Sequence, residues 1–423
     1  VNGENGVVLY SKAGNIELSP LVAGNSLEIT ANGNSTYAFF YETASKGATT
    51  TEGKFTIHDK VNVNLKNGGI GFYYNGMGGI ADIPTYINRI VDSSGGQLAI
   101  LSDENSYKMS IENAQVNLSD LSNLNTSNVT FSEVGKIKLH KGWLDIDLNS
   151  NLDKNNTTGN KAYRDLEAGL SSITIKNGIT VSGTEDSLVG IIQGAKYNEP
   201  WFSLANQGII DLQGKSSIGI YNKRGYTENN GTIILEGYKS TGLFTVSGSN
   251  VNNGEIIIKD GGVGIYNNTY LDPSDNPYSY SYSSIINNGK ITSNSGNKSI
   301  GIFANNNDPY GYLSMTLNGS SDINLGSSIG GIGIYAYKSD VYGTNSGKIT
   351  VGEKGTGIYA KDSTVYLGNL EMNLTGDKAV GFYLDGTTNF TGTGNVNIDG
   401  KGITVFNVVG TGSFNQNFNI SST

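Results

Sequence analysis

The sequence offers few residues that could do covalent chemistry. In WLDIDL, Asp145 and Asp147 stand two apart. On a strand that spacing puts both carboxylates on one face, as a sugar-cleaving acid/base pair requires. The same residues alternate with Leu144, Ile146 and Leu148, the ordinary pattern of a strand with one wet face, and this plainer reading carries more weight. His58 and His140 are the only histidines, far apart in the chain, and there is no cysteine. A Ser-His-Asp triad or a zinc site has almost nothing to work with. GGVGIYNN, from Gly261, lacks the Asp of a GGxGxDx calcium roll. The chain reads as a non-enzyme with no cofactor and no metal, the alternatives being a polysaccharide-cleaving β-helix enzyme or a purely structural stalk spacer.

Binding chemistry is better represented. Two stretches, 268–286 and 304–314, interrupt an otherwise regular array and contain NTYLDPSDNPYSYSYSS and NNNDPYGYL. Tyrosine offers a flat apolar face with a polar tip, suited to sugars and protein surfaces at small entropic cost. Asp can hydrogen-bond sugar hydroxyls or hold calcium. The candidate ligand-binding residues are therefore Tyr270, Asp272, Asp275, Tyr278, Tyr280, Tyr282, Asp308, Tyr310 and Tyr312. The plainer reading is a decorative loop.

The elements that must carry these insertions are written in two alternating phrases. One is NQGIIDL, NNGTIIL, NNGEIII, NNGKITS and NSGKITV; the other is IGIY, TGLF, VGIY, IGIF, IGIY, TGIY and VGFY. Gly219, Gly242 and Gly264 mark one period, and Gly333, Gly357 and Gly381 repeat it, at about 22 to 24 residues, the mark of a solenoid. In NNGTIIL, Ile233 and Leu235 face one way and Thr232 and Ile234 the other. Period 2 means strands, and no amphipathic helix separates them. The expected fold is all-β, a right-handed parallel β-helix with loop and short-helix insertions. Corner asparagines are expected in left-handed conformation, bonded to their stacked copies. Tyr221, Phe244, Tyr266, Phe303, Tyr335, Tyr359 and Tyr383 should align outside in a column beside a groove made by the paired glycines, a second surface able to grip an extended glycan or a neighbouring chain.

The pattern weakens toward the start. Residues 1–185 read as a less regular β-helix with helical excursions around 80–95 and 163–172, and 186–423 as the regular repeats. In DIPTYINRIVDSS, Asp82 precedes Pro84 and apolar residues fall at 83, 87, 90 and 91, a short helical pattern.

Composition narrows the class. The 423 residues include 59 Gly, 6 Pro and 25 Tyr, with 36% hydrophobic and 15% charged residues. That suffices for a packed core and excludes collagen-like and disordered chains. A formal charge of −9 with no basic run argues against nucleic acid. The absence of cysteine suits a bacterial protein exported unfolded. VNGENGVVLY has no basic n-region and no apolar run, so the targeting and anchoring parts of an exported parent are expected to lie outside this stretch.

NNGxIxL followed by a short spacer and GIGIY resembles the passenger domains of the large type V autotransporter adhesins of fusobacteria. The likeness is strong over about half the chain and loose over residues 1–185. It implies a monomeric cell-surface adhesin fragment, its parent tethered to the outer membrane by a C-terminal β-barrel absent here, or released. Implied partners are a host-cell glycan or protein receptor, or other bacteria. The shared motif is structural, so no binding residue carries over.

Overall fold

The computed structural model describes residues 1–42, 53–75, 87–88, 90–92, 95–111, 115–117, 124–132, 135–139, 144–148, 151–155, 167–168, 171–194, 203–270 and 282–422. Strand accounts for 61% of it and helix for 1%, in long parallel sheets of a β-solenoid. The chain forms two compact units, 1–150 with 156–174, and 151–155 with 175–423. The division expected after residue 185 thus falls within the second unit.

In the first unit, Val7–Lys12, Tyr37–Glu42, Ile70–Asn75, Tyr107–Ile111, Lys136–Leu139 and Glu167–Ala168 form one parallel sheet. A second sheet contains Ser26–Asn32, Lys60–Lys66, Gln97–Ser102 and Val129–Phe131, and a third Ile16–Leu18, Phe55–Ile57 and Val91–Asp92. Phe39 and Phe72 stack at 4.9 Å inside, with Phe55 edge-on to Phe39 at 5.0 Å. Of the excursion around 80–95, residues 87, 88 and 90 are helical, and Ile87 and Ile90 are fully buried. The helix expected at 163–172 is replaced in the described residues by the strands Glu167–Ala168 and Ser171–Ile175. The alternation of SSITI, polar then apolar, suits a strand with one buried face.

In the second unit each coil lays strands on three faces. The first face carries the GIY phrase: Val189–Gly194, Ile218–Lys223, Thr241–Val246, Val263–Thr269, Ile300–Asn306, Ile332–Tyr337, Thr356–Lys361, Val380–Asp385 and Thr404–Val408, all parallel. The second includes Tyr226–Asn229, Ser249–Asn252, Tyr282–Asn287, Tyr312–Leu317 and Asp340–Gly343. The third carries the NNG phrase, in strands such as Thr232–Leu235, Glu255–Ile258, Lys290–Ser293, Asp322–Leu325 and Lys348–Val351. Thr364–Leu374 runs through the second and third faces, pairing with strands of both, and Asn389–Ile398 pairs along it with a register shift between Leu367 and Leu370. Inside, Ile210, Ile233, Ile256, Ile291, Ile323 and Ile349 stack in register with no exposure. Each such side chain contributes roughly 2–3 kcal/mol of burial.

Two corner devices hold the coils in register. Between second and third faces, Asn206, Asn229 and Asn252 each donate Nδ2 to the Oδ1 of the next, through Asn287, at 2.8 Å. All four are buried, so the amides satisfy one another where water does not reach. These asparagines are not left-handed. Left-handed positions recur instead at the corner between first and second faces, on Arg224, Ser247, Lys338, Asp362 and Gly386, and at the corner between third and first faces, on Ser216, Lys239, Gly261, Lys298, Gly330, Lys354 and Lys378. There the N–H of Lys239 donates to Asp260 O and that of Lys354 to Asp377 O, each one coil on. The left-handed, stack-bonded asparagine expected at a corner occurs in the first unit at Asn67, whose Nδ2 donates to Asn32 Oδ1 at 2.8 Å.

Candidate binding site

The two tyrosine-bearing interruptions lie between first and second faces in successive coils, following Val263–Thr269 and Ile300–Asn306. Asp272, Asp275, Tyr278 and Tyr280 lie outside the described residues. At the near end of the longer one, Tyr270 is exposed, and its N–H donates to Ser247 Oγ at 3.0 Å while that hydroxyl donates back to Tyr270 O at 2.9 Å. At the far end, Tyr282 opens its strand in register with Tyr312. Their rings sit 6.3 Å apart and tilted by 58°, with Tyr282 74% and Tyr312 41% exposed.

The shorter interruption is a tight turn. Asp308, Pro309, Tyr310 and Gly311 carry the residue types of a type I turn. Asp308 Oδ1 accepts from Tyr310 N–H at 2.9 Å, Asp308 O from Gly311 N–H at 3.2 Å, and Asn306 Nδ2 donates to Gly311 O at 2.9 Å. Asp308, expected to reach a ligand, is only 3% exposed; its carboxylate shapes the turn. That turn pushes Tyr310 outward, 65% exposed.

Three residues unremarked in the sequence extend this patch along the second face. Asp340 pairs with Ser314, Tyr342 with Thr316, and Tyr366 with Tyr342. Tyr342 OH donates to Asp340 Oδ2 at 3.1 Å. Burial, then hydrogen bonding and charge from Asp340 and Tyr342, push the Tyr312 phenol well above its ordinary pKa, so this phenol is a neutral donor at physiological pH. Tyr282, Tyr312, Tyr342 and Tyr366 thus form an exposed aromatic patch with a carboxylate in its midst. Ring faces of this kind can take the apolar side of a sugar, and a carboxylate among them can accept its hydroxyls. The signal for the missed residues was the alternation in DVYG and TVYL, which puts each tyrosine outside.

The expected aromatic column is present on the first face. From Tyr221 through Phe244, Tyr266, Phe303, Tyr335 and Tyr359 to Tyr383, ring centroids are 4.6–5.5 Å apart with planes within 17°. Each ring covers its neighbours' faces, leaving edges and hydroxyls for a ligand. The groove of paired glycines takes a different form, because the glycines point inward. A Cβ on Gly219, Gly264, Gly301 or Gly333 would lie 2.5–2.8 Å from the core Ile Cγ2 of its own coil.

The remaining candidates do not converge. His58 Nε2 lies 3.4 Å from Glu17 on an exposed surface, and His140 is outside the described residues. Asp145 and Asp147 share a strand, opposite Gln115 and Asn117. Among the described residues no three His, Cys, Asp or Glu group as metal ligands. Nor is any described helix long and apolar enough to cross a membrane. The carboxylates that shift are held low: Glu28 by hydrogen bonds from Asn62 and Ser26, Asp385 by Lys361 and Gly386 N–H. A general acid needs the opposite shift. Comparison with protein-family models, curated proteins and solved structures gives no match.

Proposed function

We propose that this chain is a β-solenoid segment of a bacterial cell-surface adhesin of the autotransporter type, and that its second-face tyrosines take a carbohydrate or protein receptor on a host cell or another bacterium. One observation carries the reading: Tyr282, Tyr312, Tyr342 and Tyr366 stand exposed and unstacked around Asp340, whereas the first-face rings cover one another. The repeated NNG and GIY phrases support the surface-protein class.

The test is binding of the labelled chain to a glycan array and to epithelial and immune cells, beside Tyr282→Ala/Tyr312→Ala and Tyr342→Ala/Tyr366→Ala. Loss of one exposed aromatic contact weakens sugar binding by about 1 kcal/mol, so each double variant should bind roughly tenfold more weakly or worse. Binding unchanged in both variants removes the site from this patch. No binding by the parent chain leaves a structural spacer, and release of reducing ends from a bound polysaccharide would make it an enzyme.

A further inference from the structure

Among the described residues, nine buried polar side-chain atoms have no hydrogen-bond partner, and five of them lie at one corner, between first and second faces. They are Asn250 Nδ2, Asn267 Oδ1, Thr269 Oγ1, Ser283 Oγ and Asp308 Oδ2. A buried polar group left unpaired carries its whole desolvation cost, so native interiors rarely keep one, let alone five in successive coils.

Register gathers three of the oxygens around one gap. In the coil containing Thr241–Val246, Thr245 Oγ1 closes the corner by donating directly to Asn250 Oδ1 at 2.6 Å. In the next coil Asn267 stacks on Thr245 and Ile285 on Asn250. Both strands there extend past the corner by one more inward-facing pair, Thr269 and Ser283. One coil further the same pair is Asn306 and Leu313, and Asn306 Nδ2 crosses it to Gly311 O at 2.9 Å. The turn above is fixed to Thr269, whose O accepts from Asn307 N–H at 2.9 Å. A Cβ on Gly311 would lie 2.9 Å from Asp308 Oδ2, so the carboxylate lies along the inner side of that turn. Thr269 and Ser283 face it from one coil rise away, about 4.8 Å.

We propose that this gap is a calcium site, with Asp308 Oδ2, Thr269 Oγ1 and Ser283 Oγ as its protein oxygens and Asn267 Oδ1 as the next acceptor inward. The three oxygens do not bond one another, but an ion that holds oxygens at about 2.3–2.6 Å bridges pairs up to about 5 Å apart. Charge selects a cation. Asp308 is buried, its Oδ1 meets only the N–H of Tyr310, and its Oδ2 meets nothing; a buried carboxylate without a counter-charge is the costliest member of the set. Burial takes Asp308 out of reach of a receptor and leaves it available to an ion. One carboxylate among neutral oxygens makes a weak site, with a Kd of roughly 10⁻⁴–10⁻³ M, as in extracellular calcium modules. The site lies behind Tyr282 and Tyr312 but needs no receptor, so it stands or falls separately from the adhesin reading.

The probes are terbium, whose luminescence nearby tyrosines excite, and calcium as its competitor at constant sodium chloride. They are titrated into the intact chain, Asp308→Asn, Thr269→Val and Ser283→Ala. Asparagine can still accept from Tyr310 N–H, and valine and alanine nearly keep the shapes they replace. Expected is calcium-displaceable terbium in the parent chain and calcium binding at least tenfold weaker in each variant. Hydrogen exchange at Leu313 and Met315 gives a second readout. About 10 mM calcium should raise their protection roughly tenfold or more in the parent chain. In chelator, Thr269→Val and Ser283→Ala should match or exceed the parent, since each deletes an unpaired oxygen; with calcium they should fall below it. Should a variant lose its β circular dichroism, the calcium dependence of exchange in the parent chain decides alone. Terbium that calcium does not displace, or parent exchange indifferent to calcium, overturns the proposal. So does calcium binding that survives Asp308→Asn in folded protein, or a ranking of variants that calcium leaves unchanged, the mark of a gap filled by water alone.

Discussion

The two units solve the same stacking problem with unequal regularity. In the second, every GIY strand has glycine at the inward-turned position, from Gly219 to Gly381, and its aromatic column keeps planes within 17° through seven rings. In the first, the equivalent positions are Val8, Ala38, Gly71 and Lys108, aligned by the pairing of Val7 with Tyr37, of Tyr37 with Ile70 and of Ile70 with Tyr107. Ala38 and Lys108 are buried there and Val8 is half-buried. The register shifts between Tyr107 and Met109, and the column shrinks to Tyr10, Phe40 and Tyr73, with a 39° tilt at its first step. Identical coils give parallel rungs because each backbone approaches the next in one way. Once the residue at the close approach varies, the rungs tilt.

The sharpest way to break this comparison is to add one methyl group to each unit. At Gly333 a Cβ would lie 2.5 Å from Gly357 O and 2.7 Å from Ile349 Cγ2. Neither a sheet carbonyl nor a packed core isoleucine can yield, so Gly333→Ala should cost about 3 kcal/mol. At Gly71 the carbonyl of Lys108 is equally close at 2.5 Å, but the core side chain, Ile100 Cγ2, stands back at 3.3 Å. The preceding coil already accommodates Ala38. Gly71→Ala should cost about 1 kcal/mol. Hydrogen exchange resolved by residue reads each unit separately, which a global melt of a two-unit chain would not. Equal losses would mean that carbonyl approach alone, and not the regularity of the coil, sets the requirement for glycine.

The asparagine ladders sharpen it next. Asn229 bonds Asn206 and Asn252 in a buried corner. Replacing it with Leu orphans a donor on one neighbour and an acceptor on the other, partly offset by apolar burial, for a net loss of about 2 kcal/mol. In the first unit Asn2, Asn32 and Asn67 make the same ladder, at 3.1 and 2.8 Å, in the open. Water replaces the lost partners there, so Asn32→Leu should change stability by less than about 0.5 kcal/mol. Denaturant dependence of amide protection at Ile210 and Ile29 measures the two. A loss at Asn32 as large as at Asn229 would show that ladder geometry matters and dryness does not.

Much of the second unit was legible because its phrases repeat. The period of Gly219, Gly242 and Gly264 located the first face, the alternation in NNGTIIL sorted Ile233 and Leu235 inside, and the shared aromatic position foretold the column. Three things were not legible. Alternation reverses across a glycine when two successive residues turn inward, and nothing local in IGIY marks that reversal, so strict alternation puts the glycines outside. Asp308 looked like a ligand because carboxylates in DPYG turns and in binding loops are written with the same letters; only burial separates them. Tyr342 and Tyr366 were passed over because each stands alone in an ordinary strand. Their proximity to Tyr312 is a matter of which coils stack, and the interruptions hide that count. The first unit was hardest, since Ala38 and Lys108 erase the glycine that would have announced its coils.

Acid gives the smallest effect and the finest comparison. Burial pushes the Asp103 carboxyl up, but hydrogen bonds from Ser106 Oγ at 2.6 Å and from the N–H groups of Asn67 and Asn105 at 2.9 and 3.1 Å outweigh it and hold it low. In the second unit Asp385 is held low by Lys361, with carboxylate and ammonium 3.2 Å apart, and by Gly386 N–H. Both groups therefore take up protons less readily folded than unfolded. Their stabilisation is complete above the unfolded carboxylate value, about 3.9, and is lost as pH falls through that value and the lower folded one. Lowering the pH from 5 to 2.5 should reduce amide protection around both. Asp103→Asn and Asp385→Asn should each flatten that loss in their own unit alone. Added salt should weaken the Asp385 contribution, which rests on a solvent-exposed ion pair, and spare Asp103, which rests on neutral donors in a partly buried turn. Equal salt sensitivity would mean that Lys361 is not what holds Asp385, and that the backbone turn at Gly386 does for the second unit what the turn at Ser106 does for the first.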